Sequence, residues 1–102
     1  MNDPKKLARM FQSLAVDTRV KMVQLLCKRA LCVNALARQL GVTAAAASQH
    51  LRVLRDAGMV SSEKRGYYVH YYVEKNTARN LRAAVGCVIK PGPAGKRKRG
   101  SR

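Results

Sequence analysis

Apolar residues recur at three- and four-residue steps over most of this chain, and a Tyr- and Val-rich run interrupts that spacing once, past its middle. Leu7, Met10, Phe11 and Leu14 form the first such stripe and predict a helix. Pro4 lies near its start, where a missing N–H costs little. Val20, Val23 and Cys27 lie along one side of a second predicted helix. Met22, Leu25 and Leu26 add bulk to it, and Asp17 or Thr18 is placed to cap it. A turn is expected near residues 28–32. Val33, Leu36, Ala37 and Leu40 then fall at i, i+3, i+4 and i+7, so a third helix is expected over Val33–Leu40. Gly41 follows as a left-handed stop. Thr43 caps a fourth helix that runs to about Ala57 and ends at Gly58. Ala46 stands where a full capping box would need Glu or Gln. Met59–Glu63 and Tyr67–Val73 read as two strands joined at Lys64-Arg65-Gly66, the second rich in Tyr and Val. A last helix is expected over Thr77–Ile89, with Leu81, Ala84, Val85 and Val88 on one side. Pro91, Gly92, Pro93 and Gly95 break structure after it. No internal repeat is visible.

A short amphipathic helix, a Gly turn, an Ala-rich helix and a two-strand ribbon with a basic tip, in that order, form the pattern of a winged helix-turn-helix. That device places one helix in the major groove of DNA. The expected fold is therefore mainly α: five helices and a two-stranded wing in one domain, residues 1–89. Residues 90–102 are expected to form a disordered basic tail.

On a wheel of 100° per residue, Ala47, Leu51 and Leu54 of the fourth helix cluster on one side. Ala45, Ser48, Gln49 and Arg52 fall on the other, and Thr43 and Ala44 lie at its leading end. The first group can seal a core. The second is narrow and carries donors, as a groove-reading helix requires. Gln pairs bidentately with adenine, Ser meets several base edges, and Ala touches a thymine methyl. Arg52 is better placed for a phosphate, with guanine as the other option. On an isolated helix the same residues would read as an ordinary solvated face with high helix propensity. The preceding helix, the Gly41 turn and the ribbon reverse that preference. At the ribbon tip, Lys64 and Arg65 suit phosphate or a narrow minor groove, and Tyr67 adds a hydroxyl. His50, at the border of the apolar side, and His70, on a strand face, are read as structural.

Charge strengthens this picture. The chain of 102 residues carries 21 Lys and Arg against 5 Asp and Glu, a formal net charge of +16. Lys90, Lys96, Arg97, Lys98, Arg99 and Arg102 supply six of those charges, and +10 remains on residues 1–89. A field of this sign steers the molecule toward a polyanion. The tail is expected to add salt-sensitive, non-specific affinity. Apolar residues make up 47% of the chain and aromatics 5%, which favours packed helices over a large sheet. A core this small makes dimerisation a natural source of further burial. The pattern shows no apolar run long enough for a membrane span and no signal-peptide pattern. Three cysteines without a disulfide-scaffold spacing point to a reducing cytoplasm.

Three segments resemble the ArsR/SmtB family of bacterial winged-helix repressors. Leu14-Ala15-Val16-Asp17-Thr18-Arg19 is similar to the family's Leu-Ala-Asp-Pro-Thr-Arg, with Val16 and Asp17 departing from it. Leu31-Cys32-Val33 resembles the start of its helix-turn-helix. Ser48-Gln49-His50-Leu51, with Leu54-Arg55-Asp56-Ala57-Gly58-Met59-Val60, resembles its most recognisable block. The resemblance covers about residues 7–89. It implies a homodimer packed through the first and last helices, bound to an inverted-repeat operator in double-stranded DNA and released by an inducer. Two-fold symmetry would set the recognition helices about 34–36 Å apart, one DNA turn.

The resemblance also frames the candidate sensing thiols, Cys27, Cys32 and Cys87. Many relatives bind metal through Cys-Val-Cys at the third helix, whereas this chain has Cys32-Val33-Asn34. Others use Asp and His on the final helix, which here has neither. A third group pairs cysteines on the second and last helices to sense oxidants or sulfur species. Cys27 and Cys87 fall on those helices, each about a turn from the usual positions, here Gln24 and Lys90. A bridge between them needs Cα atoms within about 7 Å. If Cys32 joins them, three thiolates could collect a soft ion such as trivalent arsenic as inducer. Against every sensing scheme stands the plain reading of Cys27 and Cys87 as small buried hydrophobes, with Cys32 the more exposed of the three. No resident cofactor is expected.

The function expected is sequence-specific repression of transcription. The alternative is a general nucleic-acid-binding or architectural protein without an inducer. An enzyme is not expected: the chain has no Gly-rich phosphate loop, no paired carboxylates and no nucleophile beside a base.

Overall fold

The computed structural model describes residues 3–93. Its elements are α1 (Pro4–Ser13), α2 (Asp17–Lys28), β1 (Leu31–Cys32), α3 (Val33–Leu40), α4 (Ala44–Asp56), β2 (Ser61–Arg65), β3 (Tyr68–Tyr72) and α5 (Lys75–Val88). The predicted tail cations from Lys96 onward lie outside the described residues, as does the rest of the predicted disordered segment after Pro93.

Asp3 caps α1 by accepting the Lys5 amide at 3.1 Å, and Pro4 occupies its first turn. Leu7 and Met10 face inward as expected, but Phe11 keeps 39% of its surface exposed. Ser13 takes the buried place, its hydroxyl donating to the Met10 carbonyl at 2.7 Å. α2 begins differently from the prediction. Val16, not Asp17 or Thr18, is its cap residue, and no side chain caps it. Asp17 lies in the first turn, where a carboxylate is favoured by the helix dipole, and accepts the Thr18 amide at 2.8 Å. Met22 and Leu26, one turn apart, are its buried pair, while Val20 and Cys27 point outward. The second stripe is therefore rotated from the one the spacing of Val20, Val23 and Cys27 suggests.

The third helix has the predicted bounds. Gly41 ends it with φ +68, a left-handed conformation that costs glycine little, and the backbone there closes onto the Ala37 and Arg38 carbonyls. Three residues later α4 is already under way, capped by Thr43 Oγ1, which accepts the Ala46 amide at 3.0 Å. Ala47, Leu51 and Leu54 of α4 meet Met10, Met22, Leu26, Leu36 and Ala37 in one core, closed at the sheet end by Leu31, Met59 and Val60.

The sheet has three strands where two were expected. β1 adds the short pair Leu31–Cys32 to β3, antiparallel, in the order β1-β3-β2. Leu31 stands opposite Tyr71, and Cys32 opposite His70. What reads in sequence as a turn is thus the strand that ties α3 to the wing. The hairpin turn is Gly66-Tyr67, with Arg65 opposite Tyr68. Gly66 has φ +64 and is the one residue of the pair with positive φ, the arrangement of a type II′ turn. A hydrogen bond from the Val73 amide to the Leu26 carbonyl, 3.2 Å, anchors the wing to α2. α5 follows, and Ala84 is its buried residue.

Candidate nucleic-acid interface

The tight α3–turn–α4 connection decides what α4 shows to the outside. Ala47, Leu51 and Leu54 are fully buried, which fixes the rotation of the helix. Thr43, Ala44, Ala45, Ser48, Gln49 and Arg52 are all exposed. The expected division of the wheel is therefore the observed one. As at any helix start, the amides of Ala44 and Ala45 have no carbonyl in a preceding turn to bond, so they are open to a phosphate oxygen.

The outward face continues further than expected. Ala45, Ser48, Gln49, Leu51, Arg52, Arg55, Asp56 and Tyr71 line one open cleft of about 650 Å³ between α4 and β3. Arg55 and Asp56 belong to the same helical row as Ala45, Ser48 and Arg52, and the i, i+3, i+7 spacing could have found them. Tyr71 could not be found that way, because it belongs to β3 and joins the cleft only in the folded chain. Along α4, Ala45 to Asp56 spans about 16 Å at 1.5 Å per residue. Small residues lead this face and Arg follows, so a duplex edge can approach the front of the helix while cations meet its backbone.

On the wing, Lys64 and Arg65 lie at the end of β2 rather than in the turn, and both are exposed. Arg65 Nε is 2.8 Å from Glu63 Oε2, with both side chains half exposed. Its charge is thus shared with a carboxylate two residues back on the same strand face. Tyr67 forms the tip, 98% exposed. His70 is half-buried in mid-strand between Cys32 and Glu63, and its Nδ1 has no hydrogen-bond partner among the described residues. His50 is half-buried too, and accepts a hydrogen bond from Arg19 Nε at 3.3 Å.

The cysteines are arranged otherwise than the sequence suggests. Cys27 and Cys87 are exposed, not packed as small hydrophobes, and Cys32 is the half-buried one. Cys27 borders a cleft of about 300 Å³ with Val73 and with Lys75, Ala78, Arg79 and Arg82 of α5. Cys87 lies five residues beyond Arg82, about 7.5 Å further along the helix. All three thiols are free. Among the described residues no three of His, Cys, Asp and Glu come together as metal ligands, so a cage of Cys27, Cys32 and Cys87 is not assembled within one chain.

The segment from α2 to the first residues of β2, residues 17–62, matches the family model described as bacterial regulatory protein, arsR family. The chain belongs to the arsR family. It is 34% identical over 80 residues to the cadmium resistance transcriptional regulatory protein CadC homolog of Staphylococcus aureus, covering 78% of this chain and 66% of that protein. It is 39% identical over 71 residues to the HTH-type transcriptional regulator KmtR of Mycobacterium tuberculosis, covering 70% and 55%. The chain thus spans between about half and two thirds of the length of these two relatives. Among solved structures, the homodimeric winged helix-turn-helix DNA-binding domain Mb0332 of Mycobacterium bovis superposes with a TM-score of 0.71 at 28% identity, over 82% of this chain and 78% of that one. The ArsR-like regulator of Rhodococcus sp. RHA1 has the same fold, with a TM-score of 0.76 at 24% identity over 95% and 89%. The α4 face described above therefore lies within the matched segment, while most of the wing and all of α5 lie beyond it.

Proposed function

We propose that this arsR-family chain is a sequence-specific DNA-binding repressor that acts as a homodimer on an inverted repeat in the cytoplasm. The observation that carries the reading is the exposed row Ala45, Ser48, Gln49 and Arg52 on a helix whose opposite side is fully buried. In this reading Ser48 and Gln49 meet base edges, with Ala44 and Ala45 against thymine methyls. Thr43, Arg52, Lys64, Arg65 and Tyr67 hold the backbone. Homodimerisation is supported by the homodimeric M. bovis domain and by the apolar residues α5 leaves uncovered: Val88 and Ile89 are 61% and 70% exposed. No helix among the described residues is long and apolar enough to cross a membrane.

Release by a small inducer belongs to the same proposal. It draws support from relatives named for cadmium and arsenic resistance. Cys27, beside Lys75, Arg79 and Arg82, and Cys87 are the exposed thiols; Cys32 completes the set to test. Binding assayed with arsenite, zinc, peroxide and polysulfide, with each Cys replaced by Ser in turn, identifies the inducer and the thiol.

The competing reading is a general nucleic-acid-binding protein. It is favoured by the spread of exposed Lys and Arg over every element except β1 and β3. Selection of duplexes from a random pool decides between the two. A repressor should prefer its recovered site over random sequence by at least ~10³ at fixed salt. A ratio near one would overturn the proposal.

A further inference from the structure

Among the described Lys and Arg residues, Arg19 alone is not exposed. It stands in the first turn of α2 and faces two other helices. Its Nε donates to His50 Nδ1 on α4 at 3.3 Å, and its Nη1 donates to the Ser13 carbonyl at the end of α1 at 3.4 Å. That carbonyl is one of the last four of α1, which the helix itself leaves without a partner. Ser13 is in turn buried and bonded to Met10, a core residue.

We propose that Arg19 is a positioning residue for DNA readout: its guanidinium, bridging the end of α1 to His50, sets the rotation of the recognition helix α4. The inference rests on the repressor reading above and deepens it.

The geometry makes the lever effective. His50 directly follows Gln49, about 100° around the helix from it, so a group held at His50 fixes the azimuth of Gln49. Side-chain atoms lie about 5–6 Å from a helix axis, so a rotation of about 10° moves them about 1 Å. A hydrogen bond of about 2.9 Å to a base edge does not survive that shift, since such bonds fail beyond about 3.5 Å. The buried leucines of α4 restrain its rotation, but apolar contacts are not directional; the Arg19–His50 bond is. One turn to either side of His50 the helix carries Ala46, Ala47, Val53 and Leu54, none of which offers a polar side chain in its place. The planar guanidinium, with donors in a fixed fork, can hold both partners at once; a lysine amine on a flexible stem is a poorer bridge. The same fork joins α4 to α1, so a displacement of α1 reaches the base-reading face through a single side chain.

The test uses the full chain, the duplex recovered by selection and a shuffled duplex of the same length. Arg19→Gln and His50→Ala should each lower the preference for the selected duplex by about tenfold, similar to one mismatched base pair, with shuffled-duplex affinity kept within about twofold. The double variant should lose no more than either single one, as residues acting through one bond do. His50→Asn, whose side-chain oxygen can accept near the position of Nδ1, should recover most of the preference. In the unbound protein, ring nitrogen NMR should find His50 Nδ1 without a hydrogen and Nε2 carrying it. If Arg19→Gln does not fold, the His50→Ala and His50→Asn pair decides alone. Unchanged preference in His50→Ala, losses that multiply in the double variant, or a hydrogen on Nδ1 would overturn the inference. A wild-type protein with no preference would instead remove the repressor reading and this inference together.

Discussion

α4 and α5 are nearly equal in length, 13 and 14 residues, and both carry an apolar stripe. α4 buries Ala47, Leu51 and Leu54 against three other helices of its own chain. α5 buries Ala84 alone, holds Leu81 and Val85 half-covered, and leaves Val88 and Ile89 in the open. The same kind of sequence pattern therefore ends in opposite outcomes. α4 is oriented by contacts already present in one protomer. The last helix carries apolar surface of the kind that a partner covers. The placing of the proposed base-reading groups is thus a property of the single chain, while their spacing on DNA is a property of the proposed pair.

The largest effect is expected where α4, the better anchored helix, loses a core contact. Leu54→Ala should cost about 2–5 kcal/mol of folding stability, read by urea denaturation at a protein concentration well above the dimer constant. A cost under about 1 kcal/mol would mean that the core does not hold α4. Val88→Ala should act elsewhere. It should weaken self-association by about 1–3 kcal/mol, counted over two copies, in sedimentation equilibrium. The helix content of the isolated protomer should not change. Removing the cap by Thr43→Ala should cost about 1 kcal/mol and show as faster amide exchange at the start of α4. The smallest effect is expected on the wing. Glu63→Ala breaks a half-exposed ion pair worth no more than about 1 kcal/mol. With that carboxylate gone Arg65 meets phosphate without a competitor, so affinity for any duplex should rise by a similar small factor. Unchanged affinity for every duplex would take Arg65 off the backbone.

The helix-turn-helix was legible because each of its signals is local. Val33 to Leu40 repeats at helical spacing, Gly41 supplies the one backbone conformation the turn requires, and Thr43 bonds three residues ahead. None of these depends on the rest of the chain. The two faces of α4 followed for the same reason, and two of the three segments that resemble the arsR family, residues 31–33 and 48–60, lie in or beside this motif. Where tertiary neighbours decide, the sequence was silent. β1 is two residues long and has no period to read; it exists because β3 lies beside it. The spacing of apolar residues in α2 fits more than one stripe, and packing against α3 and α4 selects Met22 and Leu26. Cys27 sits on an apolar stripe by spacing yet on the surface by packing. Arg19 stood in the sequence only as the last residue of a segment resembling the family, and its proposed role depends on a contact with a residue 31 positions away. The wing tip was displaced because a II′ turn takes Gly first, which returns Lys64 and Arg65 to the strand.

In the proposed repressor the outward face of α4 reads bases while the wing holds the backbone. That division is tested most directly by affinity for the selected and shuffled duplexes with Gln49→Ala and Arg65→Ala side by side. Gln49→Ala should lower the preference for the selected duplex by about 1–3 kcal/mol and leave shuffled binding unchanged, whereas Arg65→Ala should weaken both alike. Equal losses on both duplexes from Gln49→Ala would show that α4 does not read bases through Gln49.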